Sequence, residues 1–144
     1  MKNSTRAKSS QQEKRIAKAM GGKQVIGSGS TPFLKGDVVV DQLFIEAKTK
    51  MVPSQQITVK KAWIDKAKEQ ALSTRKRDYA VAISFGDPKE YYIIEDTFME
   101  ELFKSREALT VIEDYIANYG VAPSDVDLSV IDSIIKEVYT RYSI

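Results

Sequence analysis

The sequence predicts an α/β fold: a mixed central sheet of about five strands flanked by helices, with a C-terminal helical extension. Three observations carry this. Apolar residues recur near the helical period in four stretches, and short runs rich in β-branched residues, bounded by turn residues, lie between them. Their order is helix, three strands, helix, two strands and a helical tail, which builds a layered sheet.

In chain order, residues 1–9 are polar and basic and are expected to form a flexible arm that orders only on a partner. A first helix is expected over Ser10–Met20, with Gly21-Gly22 at its C-terminal cap. "KQVIG" reads as a short strand and "SGSTPFLKG" as a loop. Residues 37–41 and 43–48, "DVVVD" and "LFIEAK", read as a hairpin. After the connection "TKMVPSQQ", the stretch "ITVKKAWIDKAKEQALSTRK" sets Val59, Ala62, Trp63, Ala67 and Leu72 close to helical spacing and predicts a long basic helix. "DYAVAISFG" and "EYYIIED" predict two strands separated by the turn "GDPK". "TFMEELFKSREALTVIEDYIANYG" reads as an amphipathic helix capped by Gly120, and "PSDVDLSVIDSIIKEVYTRY" as another. At 144 residues a single domain is expected, comprising arm 1–9, core 10–95 and helical extension 96–144.

Composition narrows the chemistry. There is no apolar run of about 18 residues, and "MKNSTRAKSSQQEKR" lacks the apolar centre of a signal peptide, so a cytoplasmic protein without membrane contact is expected. The absence of cysteine excludes disulfides, thiolate nucleophiles and structural zinc of the usual kind. The absence of histidine excludes a Ser-His triad, an imidazole base and an imidazole metal ligand. Catalysis, if present, must rest on carboxylates, lysine, hydroxyls and a hard cation bound through oxygen. The net charge of +2 is unevenly spread: residues 1–77 hold 17 Lys and Arg against 6 Asp and Glu, while residues 78–144 hold 5 against 14. The first half therefore reads as a polyanion-facing surface or, more plainly, as a solvated basic face.

The hairpin raises a question of charge. If Asp41-Gln42 is a two-residue turn, Val40 pairs with Leu43, Val39 with Phe44, Val38 with Ile45 and Asp37 with Glu46. One face then carries Val38, Val40, Leu43, Ile45 and Ala47 as core, while the other carries Val39 and Phe44 and ends in Asp37, Glu46 and Lys48. Like charges directly opposite each other are destabilising. A divalent cation between them turns repulsion into attraction, and Mg²⁺ prefers such oxygen ligands. The alternative is a register slipped by one, with Glu46 and Lys48 an ordinary surface pair.

On the first helix Glu13, Ile16, Ala17 and Met20 share one stripe, which aims a carboxylate at the sheet, with Lys14, Arg15 and Lys18 opposite. Ser10-Gln-Gln-Glu13 also matches a capping box, in which Glu13 would only satisfy a backbone N–H. "GSGS", residues 27–30, allows close backbone approach, and its hydroxyls suit phosphate oxygens. It lacks the Gly-Lys-Ser/Thr ending of a Walker loop, so no nucleotide cofactor is expected.

Glu13, "SGS" at 28–30, Asp37 and "EAK" from Glu46 to Lys48, in this order, resemble the PD-(D/E)xK nuclease superfamily. More closely they are similar to its archaeal-type Holliday-junction resolvases, which also occur in bacteriophages. The resemblance spans residues 8–86 and implies a restriction-endonuclease-like sheet. It implies that Glu13, Asp37 and Glu46 hold Mg²⁺, with Mn²⁺ able to substitute, and that Lys48 positions or activates water and stabilises charge on the scissile phosphate. Ser30, with Ser28 as second choice, matches the family's loop serine. Arg6, Lys8, Lys14, Arg15, Lys18, Lys23, Ser28 and Lys50 are the DNA contacts the resemblance implies. Gly36 stands where the superfamily has its proline, and the acidic tail from Asp96 has no assigned counterpart.

The function expected is a metal-dependent endonuclease that resolves four-way DNA junctions by paired nicks, acting as a homodimer whose two-fold axis matches the substrate. Apolar residues of "YYIIEDTFMEELF" and the helical tail would form its interface, unless they simply complete the core. The alternatives are the same chemistry on flaps, ends or duplex, and a non-catalytic DNA-binding module. Gln56 is followed four positions on by Lys60, not tyrosine, which departs from the pattern of RecB-like exonucleases.

Overall fold

The computed structural model describes residues 5–25, 37–120, 123–125 and 127–141. The chain forms two compact units, Met1–Ile94 and Glu95–Ile144.

The first unit holds helix α1 (Thr5–Met20), strands β1 (Lys23–Gln24), β2 (Asp37–Val40) and β3 (Leu43–Thr49), helix α2 (Lys61–Ser73), and strands β4 (Asp78–Ser84) and β5 (Tyr91–Ile93). The five strands form one sheet in the order β1-β2-β3-β4-β5. β3 and β4 run parallel, joined by α2, and every other pair is antiparallel. This is the α/β class and mixed five-stranded sheet that the order of elements predicts.

The hairpin has the expected register, with Asp37 opposite Glu46 and Val40 opposite Leu43. Its turn places Asp41 at φ 46°, a left-handed conformation that Asp tolerates better than most residues. The Lys76 ammonium donates to the Asp41 carbonyl at 2.7 Å and the Asp78 N–H to the Gln42 carbonyl at 2.9 Å, so the turn is pinned to the start of β4.

Both faces of the sheet are covered. On one, Ile16 of α1 packs with Val38, Ile45 and Ala82, flanked by Ala17, Val40, Leu43 and Ala47. On the other, Ala67 of α2 packs with Val81 and Ile83, flanked by Ile57, Trp63, Ile64, Tyr79 and Ile93. The second hairpin face is therefore not merely a polar end; its Phe44 is fully buried. The cause is the parallel β3–β4 pair, whose crossover helix must lie on the sheet and buries what the alternation alone would leave to solvent.

Two boundaries differ from expectation. α1 starts at Thr5, five residues before Ser10, so residues 5–9 are helical and Ser10 lies in the helix interior. α2 starts only at Lys61, because the β-branched run Ile57-Thr58-Val59 loses side-chain freedom in a helix and stays outside it. At the end of α1, the Gly22 N–H bonds the Ala17 carbonyl at 2.9 Å, and a Cβ on Gly22 would lie 2.7 Å from the Val39 carbonyl oxygen. Glycine there lets the α1–β1 turn lie directly on β2.

The second unit is a helical pair, α3 (Asp96–Tyr119) and α4 (Leu128–Arg141), with a 3₁₀ turn at Pro123–Asp125 between them. α3 ends as expected at Gly120, which adopts φ 61°. Asp127 caps α4 by accepting the Ser129 N–H at 2.8 Å, a bond that holds its carboxyl below the ordinary range. Ala108 and Val138 are buried, whereas Met99, Leu102, Phe103 and Leu109 are exposed. No helix among the described residues is long and apolar enough to cross a membrane.

Candidate active site

Asp37 and Glu46 are the first residue of β2 and the fourth of β3, and ladder pairing makes them direct neighbours. Both are buried, at 1% and 2% exposure. Asp37 Oδ2 and Glu46 Oε2 accept no N–H or hydroxyl among the described residues, and a buried acceptor left so costs about 1–3 kcal/mol.

Burial pushes the Asp37 carboxyl up to about 9, reinforced by its hydrogen bond to Glu46 and the negative charge there and opposed by the Lys66 ammonium. Burial acts on Glu46 in the same direction, but the bond from Asp37 and the Lys48 and Lys66 ammoniums outweigh it and hold that carboxyl below its ordinary value.

Two lysines converge on Glu46. Lys48 Nζ lies 3.1 Å and Lys66 Nζ 3.3 Å from the same oxygen, Oε1. Lys48 comes from β3 two residues along, on the same face by strand alternation, and its ammonium also lies 5.4 Å from the centre of the Trp63 ring. Lys66 reaches in from α2.

Glu13 is buried on α1 at 4% exposure. Because α1 begins at Thr5, Glu13 caps nothing, and the capping-box reading falls. Its carboxylate accepts a bond from Gln24 Nε2 at 2.7 Å. Burial raises its pKa, the Gln24 bond lowers it and the nearby Glu46 charge raises it, so Glu13 is within electrostatic reach of the pair. Among the described residues, however, no three acidic side chains gather closely enough to hold one ion jointly. Asp37 and Glu46 nonetheless fit a Mg²⁺ site: two carboxylates with unengaged oxygens suffice for a cation that keeps several of its waters.

The basic candidates spread more widely. Arg6, Lys14 and Lys18 are exposed on α1 and Lys8 is half-buried there, while Lys23 is exposed on β1. Lys50 directly follows β3, where its N–H bonds the Ser84 carbonyl at 3.1 Å. Arg15 donates to Glu90 at 2.9 Å, which ties α1 to the segment before β5. Ser28 and Ser30 lie outside the described residues.

Four site neighbours escape sequence reasoning. Gln12, fully buried, donates from Nε2 to the Lys48 carbonyl at 2.9 Å and anchors the strand that carries the lysine. Gln24 holds Glu13, Trp63 lies under Lys48, and Lys66 binds Glu46. The spacing Trp63-x-x-Lys66, with Trp63 on the sheet-facing stripe of α2, is the signal that points to Lys66. Comparison of the chain with protein-family models, with curated proteins and with solved structures finds no match.

Proposed function

We propose that the protein is a metal-dependent DNA endonuclease that cuts four-way junctions. The observation that carries this reading is the buried Asp37–Glu46 pair, its oxygens short of donors, with the Lys48 ammonium 3.1 Å from Glu46. Asp37 and Glu46 hold the Mg²⁺, with Mn²⁺ as substitute, and Glu13 adds negative charge from α1. The bound cation supplies Lewis acidity toward the phosphate and lowers the pKa of a water, a role that no histidine is present to fill.

The chain's own residues do the rest. Lys48, held between Glu46 and the Trp63 ring, opposes the charge that builds on the scissile phosphate. Gln12 fixes the backbone of Lys48, so the ammonium is placed before substrate arrives. The exposed cations of α1 attract the DNA backbone without reading its sequence.

A homodimer belongs to this proposal, because two identical sites about a two-fold axis match the near symmetry of a junction. Met99, Leu102 and Phe103, 56%, 48% and 53% exposed on α3, supply apolar surface for it. A cytoplasmic setting, where such DNA would be met, completes the proposal.

The test is incubation with a synthetic four-way junction and with its matched linear duplex, each in Mg²⁺ and in chelator. Paired nicks in the junction with Mg²⁺ alone support the reading. Equal cutting of the duplex leaves a less selective nuclease, and intact DNA throughout leaves a binding module.

A further inference from the structure

The contacts around Glu46 hold one cation more than the pair requires. One carboxylate oxygen takes two ammoniums, Lys48 Nζ at 3.1 Å and Lys66 Nζ at 3.3 Å. The two lysines differ in how they are held. The Lys48 side chain is 31% exposed and has the Trp63 ring as a second contact; the Lys66 side chain is 48% exposed. The Glu46 side chain is 3% exposed and already has the Lys48 ammonium beside its charge, so the more open Lys66 is the readier of the two to turn to an incoming anion.

Resting on the reading of this site as one that cuts DNA, we infer that Lys66 is a second phosphate-binding residue, which takes a non-bridging phosphate oxygen of the bound strand. Three features support it. Lys66 projects from α2, an element separate from the strands that carry Asp37, Glu46 and Lys48, so it flanks the site rather than lying inside it. Its stem is long and flexible, and Glu46 Oε1 holds it within reach of any phosphate that approaches the carboxylate pair. A cation seated between Asp37 and Glu46 would also neutralise the charge that now holds Lys66, leaving its ammonium to the incoming anion. Lys48 and Lys66 then divide the work: the tethered ammonium meets the reacting phosphate, and the open one fixes where the strand lies.

The test uses the full chain and the variants Lys66→Ala, Lys66→Arg and Lys48→Ala. Anisotropy of a labelled four-way junction is followed across a salt series in Ca²⁺, a divalent cation that takes the same oxygen ligands, and single-turnover cutting is measured in Mg²⁺. Lys66→Ala should weaken binding about tenfold and lower the salt slope by about 0.9, the effect of one phosphate contact, while its melting temperature holds. In cutting, its loss should fall on the DNA concentration needed for half-maximal rate, whereas that of Lys48→Ala falls on the maximal rate. Lys66→Arg should restore most of the binding.

An unchanged salt slope and affinity in Lys66→Ala, with the wild type cutting normally, overturns the role of Lys66 and leaves the nuclease reading standing. A reduced slope in Lys66→Ala, beside a wild type that binds but never cuts, supports the phosphate contact and removes the nuclease reading. A wild type that binds no DNA overturns both.

Discussion

Asp37 and Glu46 face each other across the β2–β3 ladder with both carboxyls buried, and burial beside Glu46 holds the Asp37 carboxyl well above its ordinary value. Such a pair is an expensive feature in a sheet unless something other than a proton comes to sit there. Mg²⁺ should therefore raise the melting temperature of the wild type by stabilising the folded state alone. Asp37→Asn and Glu46→Gln should abolish both that rise and DNA cutting, while binding of DNA in chelator persists. Cutting by either variant at the wild-type rate contradicts the assignment.

The pair also sets a pH dependence. Asp37 is raised from its ordinary 3.8 to about 9, so its contribution to metal-free stability is full below about pH 4 and is lost as pH rises toward 9. Glu46, lowered, contributes in the opposite sense, with stability present above its unfolded pKa and lost on acidification. Between neutral pH and pH 9 the Asp37 effect dominates, and thermal melts in chelator should fall across that window. Asp37→Asn should flatten the fall.

Glu13 now has a sharp test. With α1 running from Thr5, Glu13→Gln cannot lose a helix cap, and the amide can still bond Gln24. The variant should keep its melting temperature yet cut DNA at least about tenfold more slowly, the effect of about 1.4 kcal/mol of lost charge stabilisation. Full activity would show that the pair works without it.

The hairpin register was legible because Asp41-Gln42 leaves only two residues for the turn, and alternation then assigns every face from Asp37 to Lys48. The placement of Asp37 directly opposite Glu46 follows from that register alone. Less legible was everything that depends on the third dimension. Lys66 and Trp63 reach the site only because α2 crosses over the parallel β3–β4 pair, and nothing local to residues 61–73 states which sheet residue they meet. The start of α1 eludes the sequence for a different reason: the Ser10–Glu13 pattern occurs equally well inside a longer helix, where it forms no capping box and Glu13 accepts from Gln24 instead.

Gly22 offers a check on the fold independent of function. Gly22→Ala would press a Cβ into the Val39 carbonyl oxygen 2.7 Å away and into the Val40 side chain. Since backbone cannot yield as a flexible side chain does, the substitution should cost about 1–3 kcal/mol in chemical denaturation. An unchanged midpoint would mean that α1 does not pack on β2 through this turn.

A divalent cation held between Asp37 and Glu46 should be visible in calorimetric titration of the protein with Mn²⁺. Run in buffers of different ionisation enthalpy, the titration should show saturable binding with release of up to one proton near neutral pH, as the raised Asp37 carboxyl ionises to bind the cation. Asp37→Asn and Glu46→Gln should each lose most of that binding. Equal Mn²⁺ affinity and equal proton release in the wild type and both variants would contradict a site between these two carboxyls.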